Sequence, residues 1–237
     1  MEASFVAFDI ETDGLFEGDT PPNITCCATH FVQAEDVVCK VFHSNYAPAM
    51  TADDIAAVVE YLCELEGRGA KVVTFNGAGF DFKVVAAHVR ELPDVFAKVK
   101  MLAKSHTDLM FEFACRHGYY ASMSSFCKGS ELTQKSGDGA DAIEAWMGET
   151  ATQETRDGVL SYCLNDVKCL ADLYAFVLAH GYAYRITKTT NRKRPAVFAE
   201  PPMSVEKCVA YFICNPPDCG WMQDPPNILA AVEWMLV

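Results

Sequence analysis

The stretch at residues 6–15, VAFDIETDGL, constrains this chain more than any other. From residue 4 to residue 11 it alternates, as a strand does, with Phe5, Ala7, Asp9 and Glu11 on one face and Val6, Phe8 and Ile10 on the other. Asp9 and Glu11 therefore project from one side of an otherwise apolar strand, their Cα atoms about 7 Å apart. Buried carboxylates without a partner protonate or acquire a cation. No Lys or Arg precedes Lys40. Either the strand end emerges into water and both acids are hydrated, or a divalent cation supplies the missing charge.

The following segments build a sheet around that strand. NITCCATHFV and VVCKVFH flank a turn at residues 33–36, which predicts an antiparallel meander of three strands. Thr51 is placed to cap the amphipathic helix ADDIAAVVEYLCELEG, with acids in its first turn and a glycine stop at Gly67. KVVTF then breaks at NGAG and re-enters a helix, FDFKVVAAHVREL, closed by Pro93. A strand followed by a helix at this point implies a crossover and parallel pairing. An element at HTDLMFEFACRHG precedes a looser Ser-, Gly- and Lys-rich region over about residues 120–140, and a long helix over about 152–179 completes the fold.

The expected fold class is α/β: a mixed central sheet, antiparallel meander plus parallel strands, flanked by helices. Its domain spans residues 1–182, and residues 183–237 form a basic, Pro-rich extension packed on the core, whose last helix starts at Asp224-Pro225. The composition, 51% hydrophobic with mean hydropathy +0.06, suits a globular chain, and its apolar runs are too short to cross a bilayer. Eleven cysteines scattered through predicted elements read as reduced thiols in a cytoplasmic compartment (the host's, if the chain is viral or from a phage), with no membrane partner. Cys208, Cys214 and Cys219 lack the paired spacing of a zinc site.

Net charge is −13, which by itself opposes a polyanionic partner. The distribution qualifies that. Residues 1–60 hold eleven acids and one base, whereas RITKTTNRKR at 185–194 holds five bases and no acid. Arg185, Lys188, Arg192, Lys193 and Arg194 are candidates to steer a nucleic-acid backbone, or form a solvated loop.

Two more acids stand out. Asp81 ends NGAGFD and falls in the first turn of the predicted helix, where backbone amides favour a carboxylate. Asp166 lies inside the apolar stripe Val159, Tyr162, Cys163, Val167, Leu170, Leu173, with no base at a matching position, and Tyr162 precedes it by one turn. Taken alone, Tyr162 reads as a core tyrosine with a satisfied hydroxyl, and Asp81 as a helix-start acid rather than a ligand. His106 and Asp108 read as helix caps, Asp13 as a loop former, and Lys135 as solvent-exposed or a phosphate contact.

Taken together, the DxE strand with FDIET, the NGAGFD turn and the Y-x3-D helix resemble the DEDD superfamily of 3′–5′ exonucleases. These have an RNase H-like fold, and the match is to the DEDDy branch, as in the proofreading domains of B-family DNA polymerases. The resemblance covers about residues 4–180. It implies that Asp9, Glu11, Asp81 and Asp166 hold two divalent cations, Mg²⁺ or Mn²⁺, beside the scissile phosphate. It also implies that Tyr162 orients the attacking water, and that Asn76 and Phe80 hold and wedge the terminal nucleotide. The implied activity is hydrolysis at 3′ ends of single-stranded nucleic acid, DNA before RNA, with a separate polymerase or repair chain as a partner for any proofreading role. An RNA-trimming exoribonuclease and a catalytically silent binding module of the same fold are the alternatives.

Overall fold

The computed structural model describes residues 4–137 and 139–236. Strands β1 (Ser4–Thr12), β2 (Ile24–Gln33) and β3 (Asp36–Phe42) form the antiparallel meander. Helix α1 (Ala52–Gly67) follows, capped by a reciprocal Thr51–Asp54 box. It ends at Gly67 as expected, but Gly69, at φ +91°, makes the left-handed turn behind it. Strand β4 (Lys71–Thr74) pairs parallel to β1, and α2 (Asp81–His88) leaves its end.

The sequence reading extended that helix to Pro93. Instead α2 stops at His88 and Pro93 opens a new helix, α3 (Pro93–Ser105), at the position where its missing N–H costs least. The two-residue β5 (Thr107–Asp108) adds a parallel edge, and α4 (Leu109–His117) starts from an Asp108 cap. The sheet order is β3-β2-β1-β4-β5. The mixed sheet matches the expectation.

The region read as loose contains a helix, α5 (Met123–Ser130), with Met123, Phe126 and Cys127 turned inward. Its serines and glycine hid the period: Ser122 is the N-cap, and Gly129 is small because the backbone of Tyr184 runs against it. Helix α6 (Gly139–Met147) leads into the 28-residue α7 (Gln153–His180), which crosses β1 and β2. The basic segment forms a hairpin, β6 (Tyr182–Ile186) with β7 (Lys193–Val197). Helix α8 (Val205–Cys214) follows. The last predicted helix does not begin at Asp224-Pro225: a 3₁₀ turn at Ile228–Ala231 and the short α9 (Glu233–Leu236) take its place.

The alternation of β1 sorts the core into two layers. Val6, Phe8 and Ile10 face α1, α2 and α3, whereas Phe5 and Ala7 face α7 and α5. The extension contributes to both layers, through Val205, Cys208 and Val232 on one side and Ala183, Ala196 and Phe198 on the other. Each fully buried Val, Leu or Phe stabilises the fold by roughly 1.5–3 kcal/mol. All eleven cysteines are unpaired thiols. No helix among the described residues is long and apolar enough to cross a membrane.

Candidate active site

Past Ala7, β1 outruns its parallel neighbour β4. The carboxyl ends of parallel strands splay there, and such a crevice is where open α/β sheets present functional groups. Asp9 and Glu11 lie on this free end, on the face towards α7. Ile10 N–H, which β4 no longer reaches, donates to Asp81 Oδ1 at 3.1 Å. Asp81 is thereby tied to the strand beside Asp9.

The turn that carries Asp81 is itself held by a carboxylate. Asp108 Oδ1 accepts from Asn76 N–H at 3.0 Å and Phe111 N–H at 3.0 Å, and its Oδ2 accepts from Ala78 N–H at 2.9 Å. Asn76 takes φ +77°, a left-handed conformation that asparagine tolerates. Asp108 caps α4 as the sequence suggested, and it also shapes the turn at 76–80. The Phe80 ring stands edge-on to Phe16 at 6.3 Å.

The fourth acid arrives on α7. Asp166 is 2% exposed; its Oδ1 has no hydrogen-bond partner. The reading that no base faces this aspartate is corrected: Lys135 Nζ lies 2.5 Å from its Oδ2, and Lys135 is largely buried rather than solvent-exposed. The segment at 133–137 runs antiparallel along α7 and fastens to it residue by residue. Thr133 bonds Asp172, the Gln134 carbonyl accepts from Asn165 Nδ2 at 3.1 Å, Lys135 pairs with Asp166, and Gly137 lies against the Tyr162 ring. Lys135 also stands 5.5 Å from the centre of that ring.

The electrostatics follow from this crowding. Burial and then the Asp166 charge push Asp9 up to about 7. Burial, then Asp9, push Glu11 up to about 10. Asp81 is raised by burial and by Asp9. Burial raises Asp166 too, against the opposing pull of Lys135 and the Tyr162 hydroxyl. The Tyr162 phenol is raised by burial and Asp166, so it stays protonated at neutral pH. Burial pulls Lys135 down, but its hydrogen bond to Asp166 and the charges of Asp166, Tyr162 and Asp9 together outweigh that and keep it charged.

Asp9, Glu11 and Cys163 offer ligand atoms all within 4.8 Å of one another. This cluster, and the orphaned Asp166 Oδ1 near it, fit a divalent cation: hard oxygens predominate and the like charges need neutralising. The sequence reading missed Cys163 as a neighbour of the acids. Its position four residues after Val159 and three before Asp166 put it on the same stripe, but as a hydrophobe. Cys208, Cys214 and Cys219 form no such cluster among the described residues.

A cavity of about 240 Å³ opens onto Asp9, Lys135 and Asp166 and is rimmed by Ser122 and Ser124. Of the five basic candidates, Arg185 and Lys188 line a second, larger cavity that shares this rim. Lys193 pairs with exposed Glu131 at 2.9 Å, and Arg192 and Arg194 are exposed on the hairpin.

A family model described as RNase_H superfamily matches residues 6–178. No curated protein sequence matches the chain. Among solved structures it is similar to E. coli exonuclease I in complex with a 5cy-dA13 oligonucleotide, at 15% identity and a TM-score of 0.41, over 75% of this chain and 41% of that one. The zinc-ion-bound form of the E. coli ExoI–ssDNA complex is similar at 15% identity and a TM-score of 0.39, over 76% and 43%. The chain thus spans less than half the length of these structures.

Proposed function

Since this chain belongs to the RNase_H superfamily, we propose that it is a metal-dependent 3′–5′ exonuclease acting on single-stranded nucleic acid, DNA in preference to RNA. The observation that carries the reading is the meeting of Asp9, Glu11, Asp81 and Asp166 at the free end of β1, with Tyr162 one turn from Asp166. Burial raises all four acids, and Asp9, Glu11 and Asp81 are raised further by carboxylates of the set, an arrangement that costs stability unless cations occupy it.

Asp9, Glu11, Asp81 and Asp166 would hold two divalent cations, Mg²⁺ or Mn²⁺. When bound, these supply water of lowered pKa and charge stabilisation for the leaving 3′-oxygen. The chain's own groups do the rest. Tyr162, protonated at its hydroxyl, orients the attacking water as a hydrogen-bonding group and, with no phenolate at neutral pH, does not serve as its base. The Lys135 ammonium pairs with Asp166 Oδ2 at the wall of the acidic cavity, where it would offer positive charge to a bound phosphate. Asn76 and Phe80 would hold the terminal nucleotide, and the turn pinned by Asp108 fixes their place.

The test is degradation of 5′-labelled single-stranded DNA and RNA by purified protein with Mg²⁺ or Mn²⁺, alongside Asp9→Ala. Stepwise shortening from the 3′ end, absent in the variant, is expected. Equal or faster loss of RNA would make the chain an exoribonuclease; no shortening of either polymer would overturn the reading.

A further inference from the structure

The larger cavity, about 920 Å³, lies next to the acidic one, the two sharing Ser122 and Ser124. It is walled by Tyr119, Tyr120 and Trp221 on one hand and by Lys128, Arg185 and Lys188 on the other; no Asp or Glu lines it, in a chain of net charge −13. Resting on the exonuclease reading, we propose that this groove is the bed for the single strand on the 5′ side of the cleaved end. Its aromatic rings stack bases, and its basic side chains follow the phosphates.

The groove is assembled by two close backbone approaches. Gly118, at φ +81°, closes α4, and a Cβ there would stand 2.2 Å from Cys219 Sγ. That contact seats the loop bearing Trp221 against Tyr119, whose rings meet edge to face at 5.8 Å. On the opposite side, Gly129 admits the Tyr184 carbonyl, and Ser130 Oγ both donates to that oxygen at 3.2 Å and accepts from Tyr184 N–H at 2.9 Å. The β6–β7 hairpin is so docked on α5, with Arg185 hydrogen-bonded to the Tyr119 hydroxyl and stacked 5.0 Å over its ring.

What is left uncovered is the recognition surface. Trp221 is 69% exposed and Tyr120 40%, and both Lys128 and Lys188 face solvent. Aromatic faces beside cations that have no ion pair among the described residues match the chemistry of a strand with splayed bases, because every base has a π-face and every link a negative charge. A polyanion without bases would use the lysines and ignore the rings. The residues sit in the loop before α5, on α5 itself, in the hairpin and in the loop after α8, so this bed is a feature added around the sheet.

The test is equilibrium binding of fluorescent deoxy- and ribo-oligomers in chelator, so that turnover plays no part. For the wild-type chain, affinity should rise with length between about three and about twelve nucleotides. Trp221→Ala and Tyr120→Ala should each weaken the longer oligomer about tenfold or more and flatten that length dependence. Lys188→Ala should instead lower the salt dependence, its log–log slope falling by about 0.7. Quenching of tryptophan fluorescence by the oligomer should disappear in Trp221→Ala. Both aromatic positions are exposed, and unchanged melting would confirm that the variants fold. If the variants bind long oligomers as the wild type does, the groove assignment is wrong while the exonuclease reading stands. If the wild type neither binds nor cuts any oligomer, both fail together.

Discussion

Lys135 Nζ and Asp166 Oδ2 lie 2.5 Å apart, 31 residues separated in sequence, at the wall of the acidic cavity. Removing one partner of a buried pair costs about 3–5 kcal/mol, and the 26% exposure of Lys135 places it at the lower end of that range. Lys135→Met should therefore lower the urea midpoint of the metal-free protein. Saturating Mn²⁺ should restore most of the loss, since a cation takes over the charge. A variant as stable as wild type in chelator would show that the pair does not hold α7 to the 133–137 segment.

The acidic cluster predicts an unusual pH profile. Asp9 is raised from 3.8 to about 7 and Glu11 from 4.5 to about 10, so the folded chain binds protons that the unfolded chain has already released. The stability these groups contribute is complete below their unfolded pKa values and is lost as pH rises, for Asp9 through about 7 and for Glu11 through about 10. Metal-free protein should melt higher at about pH 5 than at about pH 9, and Mn²⁺ should reverse the slope because cations bind the ionised carboxylates. Melting curves across pH, with and without chelator, decide this.

Asp9→Asn removes the acid that raises both Glu11 and Asp81. In chelator it should stabilise the fold and lower the pH at which Glu11 titrates. With metal it should reduce nuclease turnover at least about 10³-fold, since a lost cation forfeits several kcal/mol of transition-state stabilisation. Opposite signs in stability and activity are the signature; a variant destabilised in chelator would contradict the electrostatic account.

Glu112, fully buried, accepts from Ala199 N–H at 2.6 Å, Met203 N–H at 2.8 Å and Arg116 Nε at 3.1 Å. It fastens the segment between β7 and α8 to α4. Glu112→Ala leaves buried donors unsatisfied and should cost about 3 kcal/mol or more, seen as a lower denaturation midpoint and as faster exchange of the Ala199 and Met203 amides. Glu112→Gln, whose one amide oxygen can still accept from Ala199 N–H and Arg116 Nε while Met203 N–H loses its acceptor, should cost less.

Gly129→Ala would place a methyl 2.5 Å from the Tyr184 carbonyl oxygen, a backbone atom that cannot swing aside. Overpacking of this kind costs about 1–3 kcal/mol. The hairpin should lift from α5, read as proteolytic cleavage between β6 and β7 that the wild type resists.

Much of this was legible from residue order. The alternation in β1 located Asp9 and Glu11 on one face, the strand-to-helix break located Asp81, and the interrupted stripe located Asp166. Those signals are periodic, and periodicity survives in one dimension. Lys135 left no such trace: its partner lies on another element, and the segment that delivers it is polar, short and aperiodic. The groove was half visible, as a run of bases without its rings, because Tyr119, Tyr120 and Trp221 come from loops that only folding brings to the hairpin. Helix α5 was concealed by the small residues that let its neighbours approach.

β1 hands its odd-numbered side chains to the α7 layer and its even-numbered ones to the α1 layer, held in place by pairing with both β2 and β4. A single-codon deletion among residues 5–8 would transpose the two sets beyond it, sending isoleucine to the α7 side and aspartate into the α1 layer. Length at this strand thus matters more than the identity of any one side chain: an exchange disturbs one contact, whereas a deletion inverts every position beyond it.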